Sequence, residues 1–361
     1  MSIHARSNIE VVSAEAVLGA LRTVLDPDLG RDVVSLGMIK DVRVDGGAVS
    51  FVLELTTPAC PLKREMEAMA REAVSALPGV TDVRVHMTAK VRGRGGLPER
   101  AALEGVGNII AVASGKGGVG KSTVSVNLAL ALNLSGARVG LLDADIYGPN
   151  IPQMLGIDGP LQVHDERILP VKAYGLSVVS MGLMLSDDQP VIWRGPMLHG
   201  VIEQFLREVE WGEVDYLIVD LPPGTGDVQL SLVQLVPLAG AAVVTTPQQV
   251  ALADVRRAVM MFRRVEVPVL GLVENMSSFI VPTTGEEYFI FGKGGGERTA
   301  REYDVPFLGC IPIDPRICEG GDTGRPIVID QPASPSARAF SRIASQLAAQ
   351  VSIHNLAAAQ A

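Results

Sequence analysis

Residues 115–122 read Gly-Lys-Gly-Gly-Val-Gly-Lys-Ser, which fits the spacing G-x-x-x-x-G-K-[ST] of a phosphate-binding loop. Gly115, Gly117, Gly118 and Gly120 let backbone N–H groups, Val119 included, curl around an anion. Lys121 is long enough to reach terminal phosphates, and Ser122 offers an oxygen to a magnesium ion. Thr123 follows on the same turn and belongs to the same nucleotide-binding set. Lys116 places a second lysine inside the loop, a deviation from the ordinary pattern.

Phosphoryl transfer also requires carboxylates that hold the metal and orient water. Asp220 closes the apolar run Tyr-Leu-Ile-Val at 216–219 and is the expected Walker B acid, a magnesium ligand together with Ser122. Asp143 and Asp145 follow the apolar run 139–142. There Asp143 is expected in the magnesium shell and Asp145 beside the attacking water. The segment 221–227, Leu-Pro-Pro-Gly-Thr-Gly-Asp, has the glycine freedom of a switch that senses the γ-phosphate.

These residues need a scaffold that brings strand ends together. From residue 106 onward, strands expected at 109–113, 139–142, 178–181, 216–219, 241–246, 269–273 and 307–311 alternate with helices. Runs that are apolar at every position are buried on both faces, as in a mostly parallel sheet covered by helices. The expected fold is a doubly wound α/β domain with its ligand at the carboxyl ends of the strands. In the last helix Phe340, Ile343, Leu347 and Val351 form one apolar face, expected to dock on the sheet. Upstream, residues 13–88 read as a small α+β unit with helices at 14–25 and 61–77. Its strands fall at 39–44, 49–55 and 83–87, with a hairpin turn at Asp45-Gly46-Gly47. The expected division is a small domain at 1–90, a Gly- and Arg-rich linker at 91–105, and the phosphate-loop domain at 106–361.

The chain of 361 residues carries a net charge of −9 with a pI near 5.2, which argues against nucleic acid as a partner. No apolar run is long enough to span a membrane and the start of the chain does not read as a signal segment, so no membrane role and a cytoplasmic location are expected. Three cysteines, Cys60, Cys310 and Cys318, do not make a disulfide framework. The histidines His4, His86, His164, His199 and His354 form no metal-binding pattern.

The runs at 115–122, Asp143-Ala-Asp-Ile-Tyr-Gly-Pro-Asn-Ile-Pro152, Trp193-Arg-Gly-Pro-Met197, Asp220-Leu-Pro-Pro-Gly-Thr-Gly-Asp227 and Glu274-Asn-Met-Ser277 together resemble the Mrp-type iron-sulfur cluster carrier ATPases, relatives of the MinD and ParA ATPases. The resemblance covers about residues 106–345. Asp26-Pro-Asp-Leu-Gly30 and Thr56-Thr-Pro-Ala-Cys-Pro61 are similar to the small metal-sulfur cluster assembly domain often fused to them. The resemblance implies a homodimer sandwiching ATP, slow hydrolysis, and delivery of iron-sulfur clusters to apoprotein clients. It implies that Lys116 crosses to the partner's nucleotide and that Asn275 meets the adenine. The absence of an Asn-Lys-x-Asp motif favours ATP over GTP.

One position departs from that family. Members that bridge a cluster follow Asn-Met-Ser with an aromatic residue, a spacer and Cys-Pro-x-Cys, whereas this chain has Val281-Pro282-Thr283-Thr284. Neither Val281 nor Thr284 replaces a thiolate. Cys60 precedes Pro61 at an expected helix start, where thiolate is favoured; it is either a cluster ligand or reactive thiol, or a plain buried residue. Cys310 reads as a small core residue of its strand and Cys318 as an incidental loop thiol. The run 291–297, Phe-Gly-Lys-Gly-Gly-Gly-Glu, is equally an anion-binding helix start or a turn. The rival functions are a MinD/ParA-like switch scaffold and an assembly adaptor that carries no cluster.

Overall fold

The computed structural model describes residues 12–93, 103–145, 148–165, 167–184, 200, 203–225, 229, 235–281 and 283–358. The run 193–197, residues 146–147 and 226–227, Pro282, His4 and His199 lie outside this set. The chain divides into two compact units, Met1–Val91 and Arg92–Ala361.

In the first unit, helix α1 (Ala14–Leu21) is followed by two short paired strands, β1 (Leu25–Asp26) and β2 (Arg31–Asp32). Next come β3 (Ile39–Asp45), β4 (Ala48–Leu55), helix α2 (Lys63–Ser75) and β5 (Asp82–Ala89). The sheet order is β3-β4-β5, with β3 and β4 antiparallel and β4 and β5 parallel. Ser13 caps α1 by accepting from the Ala16 N–H at 3.1 Å. The hairpin pairs Asp45 with Ala48 around Gly46, whose φ of 56° is the left-handed region where glycine carries no penalty. The β4 residues Val49, Phe51, Leu53 and Leu55 alternate into the core, Met66, Ala70 and Val74 of α2 are buried too, and α2 packs against β5.

The second unit is built on eight strands. In chain order its elements begin β6 (Val106–Ser114), helix α3 (Lys121–Leu134), β7 (Val139–Asp143), helix α4 (Ile151–Leu155), β8 (Gln162–His164), β9 (Arg167–Leu169), β10 (Val171–Ala173), β11 (Leu176–Ser180) and β12 (Val214–Asp220). They continue with β13 (Leu238–Thr245), helix α5 (Gln249–Arg264), β14 (Val269–Glu274), the small hairpin of β15 (Phe279–Ile280) and β16 (Glu287–Tyr288), and helix α6 (Gly295–Glu302). Strand β17 (Phe307–Cys310) and helices α7 (Pro315–Asp322), α8 (Ile327–Asp330) and α9 (Pro335–Ala358) complete the unit.

The large sheet runs β10-β11-β7-β12-β6-β13-β14-β17, parallel throughout except for the antiparallel edge β10. Every residue of β7, β11, β13 and β14 is buried. A Leu, Ile or Val buried this way stabilises the fold by roughly 1.5–3 kcal/mol, which is why the uninterrupted apolar runs of the sequence settle as central strands. Phe340, Ile343, Leu347 and Val351 of α9 are buried as the periodicity predicts, and α9 packs against α3. At the opposite end of the sheet from the phosphate loop, Asn355 donates to Asn108 Oδ1 at 2.7 Å and to the Arg92 carbonyl at 2.9 Å, tying α9 to the start of β6. No helix among the described residues is long and apolar enough to cross a membrane.

Candidate nucleotide site

Strand β6 ends at Ser114, and the chain turns through Gly115–Gly120 into α3. Gly118 and Gly120 take φ of 79° and 80°, the left-handed conformation that the turn requires. A Cβ at Gly115 would strike the Asp254 backbone of α5, and one at Gly120 would strike the Asn275 side-chain amide. Gly117 and Gly118 are exposed, and a Cβ at Gly118 would meet nothing within 4 Å. Ser114 Oγ donates to the Lys116 carbonyl at 2.9 Å and steadies the first bend.

The carboxylates arrive from adjacent strands. Asp143 and Asp220 are register partners at the carboxyl ends of β7 and β12. Lys121 Nζ donates to Asp220 Oδ2 at 2.7 Å and lies 3.7 Å from Asp145 Oδ2. Ser122 Oγ donates to the same Asp220 oxygen at 2.6 Å and accepts from Lys121 at 3.1 Å. Asp143 accepts from the Asp145 N–H at 3.1 Å and from Ser180 Oγ at 2.9 Å. Complete burial, and then the neighbouring Asp220 charge, push the Asp143 pKa up to about 7. Five of the predicted residues, Lys121, Ser122, Asp143, Asp145 and Asp220, therefore converge on one point at the strand ends. Lys116 stands half-buried on the loop and forms no ion pair among the described residues.

On the α3 side the loop borders a cavity of about 660 Å³ lined by Gly120, Thr123 and Asn275 together with apolar Met276, Phe291 and Ile317. That volume and lining suit a small, flat organic group. Asn275 also donates to the Val119 carbonyl at 2.9 Å, so it braces the phosphate loop from the end of β14. Met276, next to it, holds a left-handed φ of 54°, costly for a side-chain-bearing residue and typical of functional loops. Two residues that pattern reading passed over belong here: Ser125, which bonds Asp220, and Ser180, which bonds Asp143. A hydroxyl at 125, between the apolar Val124 and Val126 of the helix, was the available signal for the first.

Glu274 answers the question left open at 291–297. Its Oε2 accepts from the Gly296 N–H at 2.6 Å, filling the start of α6 with the protein's own carboxylate. The cysteines also differ from expectation. Cys310 is exposed at the end of β17, the edge strand of the large sheet among the described residues, and not in the core. Its thiol points at Glu274 Oε1, 3.8 Å away, and burial of the sulfur followed by that carboxylate pushes its pKa up to about 11. Cys318 is exposed within α7, which begins at Pro315 and is capped by Asp314, not in a loop.

In the first unit α2 begins at Lys63, so Pro61 is not its first residue and Cys60 lies three residues before the helix. Burial, reinforced by Asp26 and Asp28, raises the Cys60 pKa and outweighs the nearby backbone N–H, so the expected thiolate preference is corrected to a protonated thiol. Asp26 Oδ1 accepts from the N–H groups of Asp28 and Leu29, both at 3.0 Å, shaping the turn at 26–30. Among the described residues no group of three or more His, Cys, Asp or Glu side chains is arranged to hold a metal. Val281 and Thr284 flank the β15–β16 turn, where the Val281 N–H donates to the Glu286 carbonyl at 2.9 Å.

A parallel sheet, a glycine turn into a helix, and a lysine and serine meeting a strand-end aspartate define a P-loop NTPase of the MinD/ParA fold. Residues 105–348 match the family model described as "ParA: NUBPL iron-transfer P-loop NTPase", and the chain belongs to that family. Residues 14–87 match a second model, "Iron-sulfur cluster assembly protein". The chain is 54% identical over 349 residues to an iron-sulfur cluster carrier protein of Synechocystis sp., covering 95% of this chain and 99% of the relative. It is 46% identical over 341 residues to the chloroplastic Fe-S cluster assembly factor HCF101 of Arabidopsis thaliana, covering 92% of this chain and 63% of that one. Among solved structures it resembles a nucleotide-binding protein from Archaeoglobus fulgidus in complex with ADP, at 41% identity and a TM-score of 0.57 over 65% of this chain and 91% of the other. The MinD cell division ATPase of Pyrococcus furiosus matches at 26% identity and a TM-score of 0.51, over 66% and 98%.

Proposed function

We propose that the chain binds ATP with magnesium, hydrolyses it slowly as a cytoplasmic homodimer, and carries iron-sulfur clusters to apoprotein clients. The convergence of Lys121, Ser122 and Asp220 within 3.1 Å of one another is the observation that carries the nucleotide half. The iron-sulfur names of the relatives support the other half.

Lys121 and the amides of 115–120 hold the phosphates, with Thr123 at the loop's inner edge. Ser122 Oγ and Asp220 Oδ2, 2.6 Å apart, form an all-oxygen pair that suits a hard cation, and Asp143 supports it from the next strand. When bound, magnesium neutralises charge that develops on the transferring phosphoryl group. Asp145, tied through its N–H to Asp143, orients the attacking water. Lys116 completes the site of the partner subunit. Asn275 holds the loop's form and faces the cavity that takes the adenosine; the absence of Asn-Lys-x-Asp makes ATP the nucleotide rather than GTP. Nucleic acid and membrane have no place in this reading.

The cluster is cargo, and Cys60 is its candidate ligand. Ligation requires loss of the thiol proton that burial protects. Anaerobic loading with iron and sulfide, followed by iron and sulfide counts and absorption spectra, tests this on the unmodified chain and Cys60→Ser. A cluster lost in the variant supports Cys60. A cluster bound equally well by both removes it, and none in either leaves the adaptor reading, which Val281 and Thr284 at the usual cysteine positions favour.

A further inference from the structure

Asp220 is completely buried, and its two oxygens are held by two different turns of the same helix. Oδ2 accepts from Lys121 and Ser122, at 2.7 and 2.6 Å. Oδ1 accepts from Ser125 Oγ, also at 2.6 Å. Ser125 is itself completely buried and stands four residues beyond Lys121, one turn further along the same face of α3. A serine hydroxyl has a single proton to give. The Lys121 carbonyl lies 3.1 Å from Ser125 Oγ, but the shorter contact to the carboxylate takes the proton, as a charge-assisted bond does.

The arrangement matters because the terminal torsion of an aspartate is broad and nearly two-fold. Backbone pairing of β12 with β6 and β7 fixes where Asp220 stands, but not the plane of its carboxylate. With Ser125 holding Oδ1, Oδ2 is kept on the side of Lys121 and Ser122. Without that bond Oδ1 is a buried acceptor lacking its partner, and the plane is free to turn.

We propose that Ser125 is a positioning residue that locks the carboxylate of Asp220 in the orientation its magnesium-binding role demands. The inference rests on the assignment of Asp220 and Ser122 to magnesium given above. Ser125 touches neither nucleotide nor metal in this account; it acts through Asp220.

The test measures binding of a fluorescent ATP analogue to the full chain, once in excess EDTA and once across a magnesium titration. The Ser125→Ala chain is expected to keep its metal-free nucleotide affinity within about twofold while its half-saturating magnesium concentration rises on the order of 10-fold, the scale on which residues behind metal ligands act. Ser125→Thr, which keeps the hydroxyl, is expected to stay near the unmodified chain. An unchanged magnesium midpoint in Ser125→Ala, or an equal loss of both affinities, overturns the proposal. Should Ser125→Ala not fold, Ser125→Cys retains only a weak donor and is expected to raise the midpoint; a midpoint equal to that of serine overturns it. If the unmodified chain shows no magnesium-dependent nucleotide binding at all, the magnesium assignment itself falls and takes this inference with it.

Discussion

The chain contains two nearly matching glycine runs, Gly-Lys-Gly-Gly-Val-Gly-Lys-Ser at 115–122 and Gly-Lys-Gly-Gly-Gly-Glu-Arg-Thr at 292–299. Each leads into a helix whose N-cap is a left-handed glycine without a side-chain cap, Gly120 for α3 and Gly294 for α6. At α6 the Gly296 N–H is already taken by Glu274, and the helix start is closed. At α3 Gly117 and Gly118 are exposed beside a lysine that meets Asp220 and Asp145. Glycine supplies the bend in both. What separates a site from a turn is whether the freed N–H groups have found an acceptor within the chain.

The sharpest way to break this contrast is to remove one lysine from each run. Lys121→Ala is expected to lower ATP turnover by more than about 100-fold, as removal of a preorganised charge partner does, whereas Lys293→Ala leaves it unchanged; steady-state phosphate release measures both. Equal effects would sink the distinction between the two runs.

A smaller effect is expected at the caps. Gly120→Ala places a Cβ in the left-handed region and against the Asn275 amide, so nucleotide affinity should fall about 10-fold or more, read by calorimetric titration. At Gly294 the nearest atom is the mobile end of Arg298, 3.6 Å away, so Gly294→Ala should cost only the backbone term of roughly 1–2 kcal/mol in stability and leave affinity alone.

Glu274→Ala reopens the second run. Loss of the acceptor for Gly296 should destabilise the chain by about 1–3 kcal/mol in denaturant unfolding, and phosphate should then raise the melting temperature of the variant more than that of the parent. An unaltered stability would mean that Glu274 does not close the helix.

The mildest prediction concerns Cys310. A raised pKa means the folded protein keeps the thiol protonated, so iodoacetamide labelling should be slow at pH 7–9 and accelerate as pH climbs towards about 11. Glu274→Gln removes the neighbouring negative charge, and the acceleration should then begin at lower pH.

Much of the site was legible because phosphate chemistry imposes local spacing: Gly115 to Ser122 in one run, and Asp143, Asp145 and Asp220 at the ends of apolar strands. The strand cores followed from burial on both faces, with boundaries moving by a residue or three. The partners supplied by tertiary structure were not legible. Glu274 lies 22 residues before the amide it fills, and Cys310 looked like core because an apolar strand reads the same at an edge as at the centre. At Cys60 the thiolate preference did not hold, because Pro61 signals a helix start while the helix begins at Lys63 and burial governs the sulfur.

The packing of α9 on α3 also has a bearing on biosynthesis. The helix that carries Lys121 and Ser122 packs against α9, whose Phe340, Ile343, Leu347 and Val351 are all buried. At about 5–20 residues per second, α9 leaves the ribosome on the order of 10–40 s after α3 does. Through that interval the first unit has all of its strands while the phosphate loop stands on a helix that still lacks α9. The nucleotide site is thus finished last, and a chain cut short before residue 335 would carry every residue of the loop without the support that holds it in shape.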